Sequence, residues 1–426
     1  MKIAIAGYGI EGESNYRYWS SNPDNIVTIV DQKQPDINIP KDANAVIGEN
    51  VFEELHDFDM VVRTAGLAPR KIKTNGKIWS ATNEFFAKCP AEIIGVTGTK
   101  GKGTTASIIA SILEAAGKRI WVLGNIGKPA LDILNQIKPS DIVVYELSSF
   151  QLWDIEKSPQ IAVLLLIEQE HLNVHDDMPD YIAAKANITK YQTNSDLLIY
   201  NRSNEYATEI ANSSKAQITG FIDEKTAHIE NDSFFYGEQN ICSIDALQLV
   251  GKYHYENACA AIDAVWGIVN DKNAIERGLR GFKGLPHRLQ FVREVHGVKY
   301  YDDSIATTPS SAIADLRTFD VPKVIILGGS SKGADFTNLA NELNNHEVKA
   351  ILVGDEAKKI ADACKRADFN DFQILKDVTM AEIVKKAGLL AMPGSVVLLS
   401  PAAASFGMFK NYSDRGEQYI SAVKKL

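Results

Sequence analysis

The segment Val96-Thr97-Gly98-Thr99-Lys100-Gly101-Lys102-Gly103-Thr104-Thr105 carries more chemistry than any other part of this chain. The apolar run Ile93-Ile94-Gly95-Val96 leads into it and reads as a buried strand, and Ala106 to Ala116 follows as a helix. Strand, glycine loop and helix in that order form a phosphate cradle. Gly98, Gly101 and Gly103 let backbone N–H groups approach phosphate oxygens, the helix N-terminus favours the anion, and Lys102 reaches the outer phosphates. The spacing departs from the usual G-x-x-x-x-G-K-[ST], which needs glycine at Val96 and a hydroxyl at Gly103. A magnesium ion accompanying the triphosphate must therefore take its hydroxyl from Thr104 or Thr105. The plain alternative is an ordinary Gly/Thr turn.

Upstream, Lys2 to Ala6 reads as a strand opening into Gly7-Tyr8-Gly9-Ile10-Glu11-Gly12, and Ile26 to Val30 as a second strand ending in Asp31. That spacing is the nucleotide-binding pattern of a Rossmann unit, with an acidic residue where the ribose sits. Met60-Val61-Val62-Arg63 is a further strand, closed by the small-residue turn Thr64-Ala65-Gly66.

Downstream, Ile120 to Leu123, Ile142 to Tyr145 and Ile161 to Leu166 are apolar runs suited to a parallel sheet covered on both faces. Glu146 follows its strand directly and would emerge at the carboxyl edge, to hold magnesium or to cap the next helix; Asn125 has the same placement. In Glu170-His171-Leu172-Asn173-Val174-His175-Asp176-Asp177, the histidines four apart suggest a zinc helix, but the glutamate of H-E-x-x-H is missing. His171 is expected to face the phosphates or a second magnesium, with His175 and the aspartates solvated. Lys185, between alanines in a helical pattern over Tyr181 to Tyr191, reads by itself as a snorkelling surface lysine. Asn194 to Asn240 reads as a peripheral β segment, Gly251 to Val269 as a helix, and Gly284-Leu285-Pro286 as a hinge. The last third alternates again, with strands Lys323 to Leu327, Ala350 to Val353 and Val396 to Leu399 ending in glycine- or serine-bearing loops.

The chain of 426 residues is too long for one core and implies several domains. Its net charge of -9 argues against nucleic-acid and anionic-membrane partners, so any anion site must be local. Four scattered cysteines without a C-x-x-C pair indicate neither a disulfide framework nor a zinc knuckle. With no signal-peptide pattern and no span-length apolar run, a cytoplasmic location is expected.

The order of these motifs, with ELSSFQL at Glu146 to Leu152, E-H-L at Glu170 to Leu172, GLPHR at Gly284 to Arg288 and LLSPAAAS at Leu398 to Ser405, resembles the Mur ligase family over essentially the whole chain. The resemblance implies an α/β protein of three domains. Residues 1–91 would form a Rossmann-like domain for a UDP-sugar, 92–286 a central P-loop ATPase domain with a mainly parallel sheet, and 287–426 a Rossmann-like domain for an amino acid. It implies an ADP-forming ligase that adds glutamate, D-glutamate in preference to L-glutamate, to UDP-N-acetylmuramoyl-L-alanine through an acyl phosphate. ATP and two magnesium ions would be required, and the protein would be a monomer. By the same resemblance, Gly98, Thr99, Lys100, Gly101, Lys102, Gly103, Thr104 and Thr105, with Asn257, Arg288 and Asp303, would contact ATP. Gly9, Ile10, Glu11, Gly12, Asp31, Gly66, Asn125, Ser148 and Gln151 would receive the UDP-sugar. Thr104 and Glu146 would hold the first magnesium, and His171 with a carbamylated Lys185 the second. Thr307, Lys332, Ser405 and Tyr412 would receive glutamate. Lys102, Glu146, His171, Lys185 and Arg288 would carry the chemistry, and closure about Gly284 to Pro286 would bring the reactants together.

The chain departs from the D-glutamate branch in two places. Asp303-Ser304-Ile305-Ala306-Thr307-Thr308 lacks the lysine of D-S-K-A-T-N, which opens the amino acid to question, and Gly251-Lys252-Tyr253-His254-Tyr255-Glu256-Asn257 loses one asparagine. Folylpolyglutamate ligases share the G-K-G-T loop but lack the first domain, and a non-catalytic nucleotide-binding protein would not need Lys102, Glu146, His171, Lys185 and Arg288 together.

Overall fold

The computed structural model describes every residue of 1–426 except Ile126, Asn173, Val250, Lys252 and Lys332. The chain forms two compact units, Met1–Leu247 with Lys252–Phe282, and Gln248–Gly251 with Lys283–Leu426.

The first unit holds three sheets. β1 (Lys2–Ala6), β2 (Ile26–Asp31), β3 (Asn44–Ile47), β4 (Met60–Arg63) and β5 (Lys77–Ser80) form a parallel sheet in the order β3-β2-β1-β4-β5. Alternate residues of β1 face opposite ways: Ile3 and Ile5 join Val27, Val62 and Trp79, whereas Ala4 and Ala6 join Val30, Phe52 and Val61. The second sheet contains β6 (Glu92–Thr97), β7 (Ile120–Gly124), β8 (Ile142–Glu146), β9 (Ile161–Leu164), β10 (Leu197–Asn201) and β11 (Gln217–Phe221), all parallel, in the order β11-β10-β9-β6-β8-β7. β6 lies inside that order, so its loop opens between the ends of β8 and β9. The third, β12 (Ala227–Glu230), β13 (Ser233–Tyr236) and β14 (Gln239–Ser243), is a small antiparallel sheet.

The expectation of a peripheral β segment over 194–240 is corrected here. β10 and β11 extend the main parallel sheet, separated by helix Glu205–Ser213; only the later part is a separate small sheet. The helix after the phosphate loop also begins earlier than its apolar run, at Lys102, and ends at Ala115. Gly101 makes this possible: its φ of +85° is in the left-handed region, and a Cβ there would meet Asn257 Oδ1 at 2.5 Å. Helix Lys272–Gly281 packs on that helix, with Ser111 Oγ donating to the Gly278 carbonyl at 2.7 Å.

The second unit is one sheet of β15 (Gln290–Val295), β16 (Val298–Asp302), β17 (Lys323–Gly328), β18 (Val348–Val353), β19 (Phe372–Ile374) and β20 (Val396–Leu399), ordered β15-β16-β20-β17-β18-β19. Only β15 runs antiparallel to its neighbour. Ile325, Leu327 and Leu352 pack on one face, and Val324, Ile326 and Ile351 on the other. In both units no described helix is long and apolar enough to cross a membrane.

Candidate functional site

The loop after β6 is fixed by its own polar atoms. Thr99 N–H donates to the Leu166 carbonyl at 2.6 Å, and Thr99 Oγ1 both donates to the Glu168 carbonyl and accepts from the Glu168 N–H. Lys102 Nζ lies 3.1 Å from the Gly98 carbonyl oxygen and 2.9 Å from that of Thr99. Lys100 pairs with Glu168. Thr104 and Thr105 are both buried in the first turn of the helix, and Thr105 Oγ1 has no hydrogen-bond partner among the described residues.

Around this loop stand the ends of β8 and of helix Met178–Ala186. Glu146 is the last residue of β8, 4% exposed; its Oε1 accepts from Asn125 Nδ2 at 3.3 Å, and its Oε2 has no partner among the described residues. Lys185 is 1% exposed and donates to the Gly98 carbonyl at 2.7 Å, so it is no surface lysine. Burial, reinforced by the Lys102 charge and opposed by Glu170, holds its pKa well below the ordinary lysine range. His171 is largely exposed, 5.1 Å from the Phe150 ring, and its pKa is lowered chiefly by partial desolvation of the ring, with the Lys102 and Lys185 charges adding to that and Glu170 opposing it.

His175 is also corrected: it is buried rather than solvated. Its Nδ1 lies 2.8 Å from Asp180 Oδ2 and its Nε2 2.9 Å from Ser149 Oγ, and its ring stacks on Phe150. Both nitrogens are thus committed, which removes the paired-histidine zinc reading. Asp176 and Asp177 are exposed, as expected.

A cleft of about 220 Å³ in the same unit brings together Ile10, Glu11, Asn125 and Gln151, with Ala65 and Tyr145 also on its walls. Glu11 Oε2 accepts the Ala65 N–H at 2.9 Å, and burial raises its pKa against the effects of that bond and of the Arg63 charge. Gln151 and Ser148 form a capping box at the start of helix Ser149–Leu152. Gly12 allows the helix to close on the glycine turn, since a Cβ there would lie 2.1 Å from the Gly7 carbonyl oxygen. Asp31 is turned to the chain itself, accepting the Tyr8 N–H at 2.7 Å. Gly9, Gly12, Asp31, Gly66 and Ser148 are not among the residues lining this cleft. Arg63 and Asp154, which the sequence did not single out, lie behind it, joined at 2.5 Å. The signal available was a cation closing an apolar strand, which always needs a partner.

In the second unit, three loops meet at the carboxyl edge of β16, β20 and β17. Ala402 N–H donates to the Ala306 carbonyl, Gly328 N–H to that of Pro401, and Ser330 N–H to that of Ala404. Arg415, 2% exposed and not foreseen, binds the Ser304 hydroxyl and carbonyl and the Ala403 carbonyl. Burial lowers its pKa to about 10. His287 Nδ1 meets Asp302 Oδ2 at 2.7 Å, and that bond raises the histidine pKa. Asp303 and Ser405 are buried in these loops, Thr307 is half-buried and Tyr412 is exposed at the start of helix Tyr412–Lys424. Burial raises the pKa of Asp303, and that of Asp315 beside it, which the sequence reading also missed. Lys332 lies outside the described residues.

Residues 96–265 match the family model of the Mur ligase middle domain, and residues 287–403 that of the Mur ligase glutamate ligase domain. The chain is 37% identical over 399 residues to the UDP-N-acetylmuramoylalanine--D-glutamate ligase of Clostridium kluyveri (strain NBRC 12016), covering 91% of this chain and 87% of that one. To the enzyme of the same name from Clostridium tetani it is 36% identical over 445 residues, covering 100% and 97%. Among solved structures, the UDP-N-acetylmuramate-alanine ligase of Thermotoga maritima is similar in fold, with a TM-score of 0.59 at 17% identity, covering 100% of this chain and 99% of that one. The Mycobacterium tuberculosis folylpolyglutamate synthase complexed with ADP has a TM-score of 0.59 at 15% identity, covering 80% and 93%.

Proposed function

The chain belongs to the Mur ligase family, and from that premise we propose that it joins glutamate, in the D form, to UDP-N-acetylmuramoyl-L-alanine with cleavage of ATP to ADP and phosphate. The observation that carries the reading is the grouping, at one sheet edge, of a phosphate loop, the open Glu146 carboxylate oxygen and the buried Lys185 amine. The cleft of Glu11, Asn125 and Gln151 opens in the same unit, and Asn125 bonds Glu146.

The carboxylate of the L-alanyl group attacks the γ-phosphorus of ATP, forming an acyl phosphate as ADP leaves. The neutral amine of glutamate then attacks the acyl carbon, phosphate departs with the bonding pair, and the amine loses its proton. The loop N–H groups and Lys102 hold the phosphates, and Arg288 adds charge in the transition state. Asn257 lies against the loop at Gly101, and Asp303 is assigned to the ribose. Thr307, Lys332, Ser405 and Tyr412 are assigned to glutamate. The UDP-sugar falls to the cleft lined by Ile10, Glu11, Asn125 and Gln151, and Gly9, Gly12, Asp31, Gly66 and Ser148 are assigned to the same substrate. Residues 1–91, 92–286 and 287–426 are the corresponding domains, working as a monomer in the cytoplasm.

The residues present suit magnesium. Glu146 Oε2 is a buried acceptor without a partner among the described residues, and the lowered pKa of His171 favours the neutral imidazole. No group of three His, Cys, Asp or Glu able to hold a metal by itself occurs among the described residues, so the remaining positions on magnesium would fall to water and to the phosphate oxygens of ATP. Thr104 and Glu146 would hold one ion, and His171 and Lys185 the other; the ions supply charge neutralisation of the transferred phosphoryl group. Lys185, whose pKa burial draws well below the ordinary lysine range, is suited to add carbon dioxide, releasing a proton and becoming an anionic carbamate.

The test is phosphate release from ATP with UDP-N-acetylmuramoyl-L-alanine and each glutamate enantiomer separately. Release that requires both the nucleotide-sugar and D-glutamate supports the reading. Release with L-glutamate alone shifts the amino acid, as the isoleucine at position 305 allows, and no release with either defeats the ligase assignment.

A further inference from the structure

Arg63 is 0% exposed at the end of a strand whose other residues, Met60, Val61 and Val62, are apolar. A buried guanidinium costs stability unless every donor is met, so a position that an aliphatic residue would fill easily holds arginine for its hydrogen bonds. Those bonds run in two directions. Nη1 reaches the carbonyls of Thr64, Ala65 and Leu67, each at 3.3 Å. Nε and Nη2 form a fork on Asp154 at 2.7 and 2.5 Å, and Nη2 also reaches the Phe150 carbonyl at 2.9 Å. Trp153 lies beside it, 5.9 Å from ring centre to guanidinium carbon.

The two sets of partners belong to two separate segments of the chain, each of which contributes a residue to the lining of the cleft, Ala65 from one and Gln151 from the other. The turn after β4 presents Ala65, whose N–H holds Glu11; Phe150 and Asp154 bracket Gln151. With its carbonyls drawn onto Arg63, the turn keeps the Ala65 N–H directed at Glu11. Asp154 is itself anchored, its carbonyl accepting from Asn83 Nδ2 at 2.8 Å. We propose that the Arg63–Asp154 pair is a positioning element that sets the separation of these two segments and thereby the affinity for the nucleotide-sugar. This rests on the reading that the cleft receives that substrate. A lysine keeps the charge but lacks the planar fork, so it cannot hold Asp154 and the carbonyls of the turn after β4 together.

Three variants test this: Arg63→Lys, Asp154→Asn and, as a reporter of the cleft itself, Glu11→Gln. Binding of UDP-N-acetylmuramoyl-L-alanine is measured by calorimetry, and KM for ATP and glutamate by steady-state assay. Arg63→Lys and Asp154→Asn are expected to weaken nucleotide-sugar binding roughly tenfold or more while the other two KM values move less than about threefold. Normal nucleotide-sugar binding in both variants, with Glu11→Gln impaired, overturns the role of the pair and leaves the cleft assignment intact. Normal binding in all three variants overturns the cleft assignment, and the proposal with it. A parallel rise in all three constants, with a fall in thermal midpoint, also overturns it by making the pair a general structural support. If Arg63→Lys does not fold, the near-isosteric Asp154→Asn decides alone.

Discussion

Thr104 and Thr105 are adjacent buried hydroxyls at the start of one helix, 3% and 0% exposed. The first follows Gly103, which has no side chain to offer a cation, and the second is fully enclosed. Thr104→Ala should therefore lower kcat roughly 10²-fold or more, and Thr105→Ala much less; steady-state assays at saturating magnesium compare them, and the reverse order would move the metal ligand by one residue. Lys185 gives a second expectation. Lys185→Ala should lose activity and should not respond to bicarbonate, whereas the wild type, depleted of carbon dioxide, should regain activity when it is supplied. An active Lys185→Ala variant would dismiss the carbamate. The residues that act through contiguous chain, such as Gly98 to Lys102, were legible in the sequence because a loop between strand and helix is a local pattern. Arg63 was not, because its partner Asp154 is 91 residues away and nothing in either neighbourhood names the other. His175 was misread for the same reason: Ser149, which occupies its Nε2, is 26 residues earlier.

Among elements, the contact between helices Lys102–Ala115 and Lys272–Gly281 has no slack. A Cβ at Gly278 would sit 2.4 Å from Ile112 Cα, a backbone atom that cannot rotate away. Gly278→Ala should cost about 1–3 kcal/mol in denaturant unfolding, despite the better helix propensity of alanine. Helix Tyr253–Val269 carries a different burden. Its Asp263 accepts the Ala227 N–H at 2.8 Å through one oxygen, while burial raises the pKa from 3.8 to about 8. The folded chain thus holds a proton that the unfolded chain releases between those two values, and stability falls as pH rises through that window. Asp263→Asn keeps the acceptor and removes the charge, so it should flatten this dependence and stabilise the protein by roughly 1–3 kcal/mol at pH 8; unfolding midpoints at pH 5 and pH 8 measure it. Most of the parallel strands were legible as apolar runs; the short strands β3, β5 and β19 were not. Nor was β11, because Gln217-Ile218-Thr219-Gly220-Phe221 is too mixed to declare a sheet position without its neighbours, and the apolar run of β10, Leu197-Leu198-Ile199-Tyr200, was assigned with the turn-rich segment around it.

For the whole molecule, the two compact units predict two unfolding transitions. The cleft of Glu11, Asn125 and Gln151 lies wholly within the first unit. UDP-N-acetylmuramoyl-L-alanine without ATP should raise the midpoint of that unit's transition and leave the other in place. At a hundredfold excess over Kd the gain is about 2.7 kcal/mol. Scanning calorimetry tests this, and an equal shift of both transitions would show that the units unfold together. The seam that closes the first unit also orders its biosynthesis. Ser111 waits 167 residues for Gly278, the residue against which its helix packs. A nascent chain must therefore carry the apolar side chain of Ile112 without its final cover until most of the first two-thirds has left the ribosome, and that interval is when chaperones have the most to hold.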